Sequence, residues 1–342
     1  SGGLSDTIKN ICTGNQTLHM IRLFCQRYIY TVNRALHVAA ALDDLDRLIE
    51  IGVDNYNVRM MRAEIAMSFG QIDKARADLE TVLMRKKDNA EVYLMLGNIH
   101  MMSGERKKAL LAFQGAQTLL PNNIQVWQGL ARAYGAIGMA GDALLAMAEA
   151  IHDAPLDPSL YTMRGRLMAG FGQDEEAAKD FKRALALDDD YAQGWLERGI
   201  AHMAAGQLIR AWRDFSETVE RAPTEPYPAF YLAISKLRSR SKDLSGLEAF
   251  MDVQAARDWP LPVGDYLLGR IDATALMEQA ETASTSNYIQ RVFTTEARFF
   301  IGQKLLADGD KEAGRGELRE VVAAHLYEHP VYRMAKGILA RP

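Results

Sequence analysis

The residues of this chain that could do chemistry are few and isolated. His325 and His329 are four positions apart, a spacing at which two side chains on one helical face can bind a metal ion. No glutamate completes a His-Glu-x-x-His arrangement, and Pro330 directly follows the second histidine. The sequence has no Gly-x-Ser-x-Gly motif and no phosphate-binding glycine loop. We therefore predict that the protein is not an enzyme and holds no metal or cofactor, with both histidines at the surface or at a helix cap.

Two arginines supply the other chemical signal. Arg132 and Arg166 are separated by an interval that recurs throughout the middle of the chain, and paired guanidinium groups bind a carboxylate through parallel hydrogen bonds. Side chains this far apart in sequence meet only if the chain returns to the same place. Their significance therefore depends on the elements that carry them.

The same interval, about 34 residues, organises the middle of the chain into four units, the first of which starts at Ala90. Each unit has an aromatic residue, then a small residue, a glycine, an alanine and a large apolar residue. In unit order these are Tyr93, Trp127, Tyr161 and Trp195; Gly97, Ala131, Gly165 and Gly199; Gly104, Gly138, Gly172 and Gly206; Ala109, Ala143, Ala177 and Ala211; Phe113, Met147, Phe181 and Phe215. Apolar residues three, four and seven positions apart predict two amphipathic helices per unit, the first ending at the glycine.

This pattern resembles the tetratricopeptide repeat (TPR). The resemblance implies an all-α fold, a right-handed TPR superhelical solenoid of about six to seven helix pairs with a non-repetitive insert near the C-terminus. We expect a degenerate helical cap over 1–55 and regular units that start at 56, 90, 124, 158 and 192 and end at 223. An irregular helical segment over 224–294 and a TPR-like helix pair with a cap over 295–342 should follow.

Composition excludes several classes of protein. The 342 residues include 40 Lys and Arg against 44 Asp and Glu, a net charge of −4, whereas a nucleic-acid-binding protein needs an excess of basic residues to neutralise phosphates. No apolar run approaches the roughly 18–20 residues that cross a bilayer. We therefore expect protein or peptide partners, no nucleic acid and no membrane span.

The N-terminal segment leaves two questions open. Cys12 and Cys25 are either joined in one disulfide or present as two free buried thiols. Phe24, Tyr28 and Tyr30 are a candidate homodimer contact, the alternative being that they cap the first repeat internally.

The C-terminal third has a motif order of its own. It runs through Tyr231–Leu237, Trp259-Pro260, Tyr266–Gly269, Ala275–Glu278, Glu296–Gly302, Gly309-Asp310 and His325–Tyr332. This order resembles the NlpI-like TPR lipoproteins of the bacterial cell envelope. The resemblance implies an adaptor, often dimeric and held at the outer membrane by a lipid anchor on a cysteine of the native precursor, that brings together envelope proteases and peptidoglycan hydrolases. Neither Cys12 nor Cys25 lies in a lipobox, so the anchor is not carried over to these residues.

In TPR arrays the first helix of each unit lines a concave groove, and we predict a peptide-binding site there. The predicted groove residues are Met60, Glu64, Glu91, Leu94, Asn98, Met101, Met102, Gln128, Arg132, Thr162, Arg166 and Leu196. Arg132 and Arg166 hold the same repeat position, so they should lie side by side and bind an acidic side chain or a free C-terminus of an extended peptide. The methionines would supply an adaptable apolar lining. The alternative is that both arginines pair with neighbouring acidic side chains and the methionines pack between helices.

Taken together, these features predict a non-catalytic scaffold for protein–protein interaction. The leading interpretation is a bacterial cell-envelope adaptor in the periplasm that docks a protease or peptidoglycan hydrolase and presents substrates to it. The alternative is a cytoplasmic TPR chaperone or assembly scaffold that binds a peptide in its concave groove.

Overall fold

The computed structural model describes residues 34–254 and 257–341, with side chains described from residue 40. In this range the chain forms eighteen α-helices and no β-strand. The regular pairs are α2 (Tyr56–Ser68) with α3 (Ile72–Arg85), α4 (Ala90–Met102) with α5 (Arg106–Leu119), α6 (Ile124–Ile137) with α7 (Ala140–Asp153), α8 (Pro158–Gly170) with α9 (Asp174–Leu187), and α10 (Ala192–Ala204) with α11 (Leu208–Arg221). The other helices are α1 (Arg34–Glu50), α12 (Pro226–Arg238), α13 (Ser245–Asp252), α14 (Leu261–Leu267), α15 (Ala273–Thr282), α16 (Asn287–Asp308), α17 (Lys311–Ala323) and α18 (Pro330–Leu339). The all-α fold of paired helices is confirmed.

The predicted features of the N-terminal segment lie outside the described residues. These are the thiols of Cys12 and Cys25 and the aromatic rings of Phe24, Tyr28 and Tyr30. The state of the thiols and the role of the rings stay predictions.

Local capping signals explain where the first helices begin and end. α2, α4, α6 and α8 each follow an Asn or Asp whose side chain accepts a backbone N–H of the first turn. For example, the N–H of Val126 donates to Asn123 Oδ1 at 3.2 Å. Each first helix of the regular pairs is followed within two residues by a glycine of positive φ, such as Gly138 at 85°, a conformation that costs glycine little. These signals hold the first helices to 13 or 14 residues.

Within a pair and between adjacent pairs, an aromatic ring fills the space that a glycine leaves. The ring of Phe113 in α5 lies against Gly97 in α4 and Gly129 in α6, and a Cβ at either glycine would be 2.5 Å from a ring carbon. Phe215 makes the same contact with Gly199, at 2.6 Å. Because close-packed interiors leave no room for such an overlap, the small residue is required for the helices to approach.

Buried ion pairs join the two helices in three of the units. Arg62, Arg164 and Arg198 on first helices each donate two hydrogen bonds, between 2.6 and 3.0 Å, to an aspartate sixteen residues later. The acceptors are the buried Asp78, Asp180 and Asp214. The other two units have Leu96 with Ala112 and Leu130 with Ala146 at these positions. Each unit therefore has a complete ion pair or an apolar contact here, which avoids leaving a lone buried charge.

Replacing Arg164 by leucine should lower the free energy of unfolding by about 3 kcal/mol, because Asp180 stays buried without its partner. Adding Asp180→Ala should restore most of this loss, since the double variant reproduces the Leu96–Ala112 contact of another unit. Urea denaturation followed by circular dichroism measures both variants, with Arg183→Leu on the exposed face of α9 as the control. A double variant no more stable than the single one would contradict the account.

The repeat register continues for one helix beyond 223. α12 begins at Pro226, one repeat interval after the start of α10 at Ala192, where the sequence predicted an irregular segment. Its Phe230 and Tyr231 pack on Phe299 and Phe300 of α16, with ring centroids 5.8 to 6.5 Å apart. The long helix α16 therefore takes the place of a regular second helix beside α12.

The C-terminal helices fold back along the repeats. α16 begins at Asn287, earlier than the 295 expected, because Ser286 caps it. Ser286 Oγ also donates to the backbone oxygen of Gly70 at the end of α2, at 2.8 Å. α18 packs on α10, where Gly337 lies against the backbone of Ala204. Helices α16 to α18 thus run from the first regular repeat to the last.

Candidate functional site

The inner face is the side of the first helices that carries Asn98 in α4, Arg132 in α6 and Arg166 in α8. Arg132 Nη2 donates to Asn98 Oδ1 at 2.5 Å, and Arg132 Nη1 lies 3.3 Å from Glu328 Oε2. Glu328 is 196 residues further along the chain, in the loop before α18. One of the two predicted arginines therefore already contacts a carboxylate, and this acid comes from the C-terminal segment.

The second arginine lies beside a buried glutamate. Arg166 Nη1 is 3.8 Å from Glu197 Oε1, and Arg333 of α18 donates to both oxygens of Glu197 at 2.7 and 3.1 Å. The side chain of Glu197 is 6% exposed. Its burial acts to raise its pKa, but the charges of Arg333 and Arg166 outweigh that effect and the pKa is lowered. Burial lowers the pKa of Arg166, and the positive charges of Arg333 and Arg132 lower it further.

The structure separates the twelve predicted groove residues into three groups. Glu64 and Glu91 are exposed. The partly exposed residues are Leu94, Asn98, Met102, Gln128, Arg132, Arg166 and Leu196. Met60, Met101 and Thr162 are at most 8% exposed, because they face the neighbouring helices. Those two methionines pack between helices rather than line an open groove.

A depression of about 340 Å³ is open on the inner face between α4, α6 and α8. It is lined by Leu94, Asn98, Phe113, Gln125, Gln128, Arg132 and Met163. Within the described part of the chain, Gln125 and Gln128 make no side-chain hydrogen bond. Their amide groups can therefore donate to and accept from a ligand.

The loop before α18 covers the region beside this depression. The guanidinium carbon of Arg106 lies 3.6 Å from the ring centroid of Tyr327, and Arg106 also donates to the Tyr327 hydroxyl. The ring of His325 stacks on Tyr327 at 5.5 Å. This loop therefore brings one aromatic ring to Arg106 and one carboxylate to Arg132.

A buried glutamate holds the end of this loop. Glu296 of α16 accepts from the Tyr227 hydroxyl at 2.8 Å and from Trp259 Nε1 at 2.7 Å, and its other oxygen is 3.1 Å from His329 Nε2. Burial and the charge of Glu296 raise the pKa of Tyr227 well above its usual value. Trp259, Glu296 and His329 all belong to the motif order of the C-terminal third, and the structure brings them to one point.

The two histidines do not share a helical face. His325 follows the end of α17 with a φ of 56°, whereas His329 is the N-cap of α18, where its ring accepts the N–H of Val331 at 3.4 Å. Among the described residues, no group of three His, Cys, Asp or Glu side chains could hold a metal ion. Over the same range, no helix is long and apolar enough to cross a membrane.

Sequence reasoning missed Glu197, although a signal was present. Glu197 holds the sixth position of its first helix, where the other four units have Met61, Met95, Gly129 and Met163. A charge at a position that is otherwise apolar indicates a buried partner. Tyr327, Glu328 and Arg333 gave no such signal, because they lie outside the regular repeats and their partners are 136 to 221 residues away.

Comparison with known proteins agrees with this geometry. The family described as "Tetratricopeptide repeat" matches residues 60–124 and 162–226. These two stretches of the chain consist of tetratricopeptide repeats. TPR proteins are protein-interaction scaffolds and are generally non-catalytic.

Several solved TPR structures are similar to this TPR chain. A thermophilic TPR protein of Thermus thermophilus is 21% identical over 52% of this chain and 97% of its own, with a TM-score of 0.47. A TPR protein from Parabacteroides merdae is 15% identical over 87% of this chain and 98% of its own, also with a TM-score of 0.47. YrrB, described as a TPR protein with an unusual peptide-binding site, is 18% identical over 52% of this chain and 92% of its own, with a TM-score of 0.34.

The Glu197–Arg333 pair should make stability depend on pH in a defined direction. Because the folded-state pKa of Glu197 is lowered, its contribution is fully present above the ordinary glutamate value of 4.5 and is lost as the pH falls through the lowered value. Glu197→Gln should reduce the free energy of unfolding at neutral pH by about 3 kcal/mol. The deficit should shrink in acid.

Urea denaturation at a series of pH values measures this deficit. Glu217→Gln is the matched control, since Glu217 forms a more exposed pair with Arg221 whose loss should cost under about 1 kcal/mol. A Glu197→Gln deficit that is constant down to strongly acidic pH would show that the carboxylate charge does not stabilise the fold.

Proposed function

We propose that this chain is a non-catalytic scaffold that binds an extended acidic peptide segment of a partner protein on its inner face. The observation that carries the proposal is the open, amide-lined depression beside Arg132. Scaffolding of protein interactions is the general role of TPR proteins. The depression supports a specific place and ligand chemistry for that role in this chain.

The lining fits an extended peptide in two ways. Asn98, Gln125 and Gln128 carry amide groups, each with a donor and an acceptor that match the N–H and C=O of a peptide backbone. Leu94 and Met163 provide apolar surface for a side chain of the peptide.

The charge of Arg132 favours an acidic ligand. Arg132 keeps a quarter of its side chain exposed where it lines the depression, and its carboxylate partner in the free chain, Glu328, is itself partly exposed. A carboxylate of the ligand would pair with Arg132, and bidentate geometry would favour an acidic residue over a neutral one.

We propose further that the partner is a protein of the bacterial cell envelope, a protease or a peptidoglycan hydrolase, and that this chain acts in the periplasm as an adaptor that presents substrates. This step is supported by the resemblance of the C-terminal third to NlpI-like lipoproteins. The motif residues Trp259, Glu296 and His329 of that third meet at one buried point, which gives the motif order a structural role here. The alternative is a cytoplasmic chaperone or assembly scaffold that uses the same inner face.

Selection of peptides from a random library displayed on phage tests the peptide site. Selected peptides should be rich in Asp and Glu, and Arg132→Glu should weaken their binding tenfold or more, about 1.4 kcal/mol, by placing like charges together. Gln128→Ala should weaken binding by a few-fold without removing the acidic preference. Fluorescence anisotropy with synthetic peptides gives the dissociation constants.

Arg213→Glu is the control for that experiment, because it makes the same charge reversal at an exposed position of the second helix α11. Equal losses with Arg132→Glu and Arg213→Glu would mean that net charge alone governs binding. Peptides without acidic residues would exclude the proposed ligand chemistry.

A pull-down from envelope and cytosolic fractions of the source organism tests the identity of the partner. An envelope protease or peptidoglycan hydrolase that is retained by the wild-type chain and lost with Arg132→Glu supports the adaptor. Retention of cytosolic assembly factors alone supports the alternative. The wild-type comparison with Arg213→Glu separates groove binding from charge effects in both fractions.

A further inference from the structure

The resident segment is the stretch 325–329 between α17 and α18, and it lies on the inner face beside the proposed peptide site. Its Tyr327 ring is stacked under Arg106 at 3.6 Å, and Glu328 pairs with Arg132 at 3.3 Å. These contacts reach the repeats that begin at 90 and 124, 196 to 221 residues earlier in the chain. The chain therefore presents an aromatic ring and a carboxylate, on adjacent residues, to Arg106 at the start of α5 and to Arg132 on the inner face.

The segment is held strongly on its C-terminal side. His329 contacts the buried Glu296 at 3.1 Å, and Arg333 makes two hydrogen bonds to the buried Glu197. Arg315 of α17 donates to the backbone oxygens of Leu339 and Arg341 near the end of α18, at 3.0 Å each. Buried charge pairs of this kind are costly to break, so α18 stays in place when the loop before it moves.

The contacts in the middle of the segment are made by partly exposed side chains: Tyr327 packs on Arg106 and edge-on against Tyr332 of α18, with ring centroids 5.0 Å apart, and Glu328 pairs with Arg132. Glu328 is 37% exposed and Arg132 is 26% exposed, and partly exposed ion pairs with one contact at 3.3 Å contribute little to stability. The preceding His325 has a φ of 56°, a left-handed conformation that costs a residue with a side chain. Displacement of Tyr327 and Glu328 therefore breaks contacts of partly exposed side chains, including the one to Tyr332, and leaves the buried Leu326 and the anchors in place.

The chemistry of Arg106 and Arg132 indicates which side chains of a ligand the site binds. Arg106 offers the flat face of a guanidinium to an aromatic ring, and Arg132 offers donors to a carboxylate. Two adjacent residues bridge the two arginines, so the spacing between the ring site and the acid site is that of neighbouring residues. Tyr327 and Glu328 are the central residues of a turn, which the His329 N–H closes by donating to the Leu326 oxygen at 2.9 Å. An amide-lined depression continues from Arg132 along Gln128 and Gln125.

We propose that Tyr327-Glu328 is a resident ligand of the peptide site, and that a partner segment with an aromatic residue followed directly by an acidic residue binds by displacing it. This inference rests on the proposed function and adds the partner's motif and a means of control. The site is occupied in the free chain, and only molecules with an undocked segment can bind the partner. The apparent dissociation constant is therefore the intrinsic constant divided by the fraction of molecules in which the segment is undocked.

Competition between the segment and a peptide tests the inference. The probe is a fluorescein-labelled peptide with the sequence of residues 324–332, and the control probe has the same composition with the tyrosines and the glutamate separated. The variant Tyr327→Ala with Glu328→Ala vacates both arginines and leaves the Glu296 and Glu197 contacts intact. Anisotropy should show that this variant binds the probe about tenfold more tightly than the wild-type chain, with little binding of the control probe.

Two further variants make the result specific. Glu320→Ala removes one negative charge from an exposed position of α17 and should leave the affinity unchanged. Adding Arg132→Glu to the Tyr327→Ala, Glu328→Ala variant should abolish the gain. Circular dichroism and the thermal midpoint establish that each variant is folded before its affinity is compared.

The outcomes separate this inference from the proposed function. If the wild-type chain and the Tyr327→Ala, Glu328→Ala variant bind the probe with equal affinity, the displacement step is overturned. The proposed function still stands in that case if the phage selection yields acidic peptides. Failure of the vacated variant to bind the probe overturns the aromatic-acidic motif, again without affecting the phage selection. Equal binding of the probe and the control probe overturns the requirement for adjacency.

Discussion

The solenoid depends on the close approach of helices, which requires residues without bulky side chains on the first helices. Where Phe113 faces Gly97 and Gly129, its ring occupies the space that a Cβ would take, and van der Waals contact sets the spacing between helices. The constant length of the repeat brings the first helices into register. The proximity of Arg132 and Arg166, and the amide side chains next to them, follow from that stacking.

The inner face carries a positive charge that the chain itself compensates in two different ways. Glu197 is buried with Arg333 and Arg166, and this pairing fixes α18 against α10. Glu328 is partly exposed and lies 3.3 Å from Arg132. The buried pair behaves as a structural joint because separating it leaves an uncompensated charge, whereas water readily replaces the exposed pair. A fixed helix and a displaceable loop are thus adjacent on one surface.

Much of the fold could be predicted because its signals are local and periodic. Capping residues, positive-φ glycines and apolar spacing set helix boundaries within each unit, and the unit starts at 56, 90, 124, 158 and 192 coincide with helix starts. The helices of the C-terminal third were harder to predict from the sequence. α12 keeps the repeat register, but α16 takes the place of the second helix that would normally follow it. Of the predicted groove residues, Met60, Met101 and Thr162 lie in the core, because a helical wheel position alone does not say how closely the next helix packs.

The sequence by itself determined a solenoid of paired helices and the placement of two arginines at equivalent positions of adjacent repeats, because both follow from a short period that each unit satisfies locally. Only the tertiary structure decided which carboxylates meet those arginines. Glu328 is reached only through the return of α16 to α18 along the repeats, a long-range path that depends on packing between helices far apart in the chain and leaves no periodic trace in the sequence. Glu197 lies in the repeat that follows Arg166, but its second arginine, Arg333, arrives by the same long-range path.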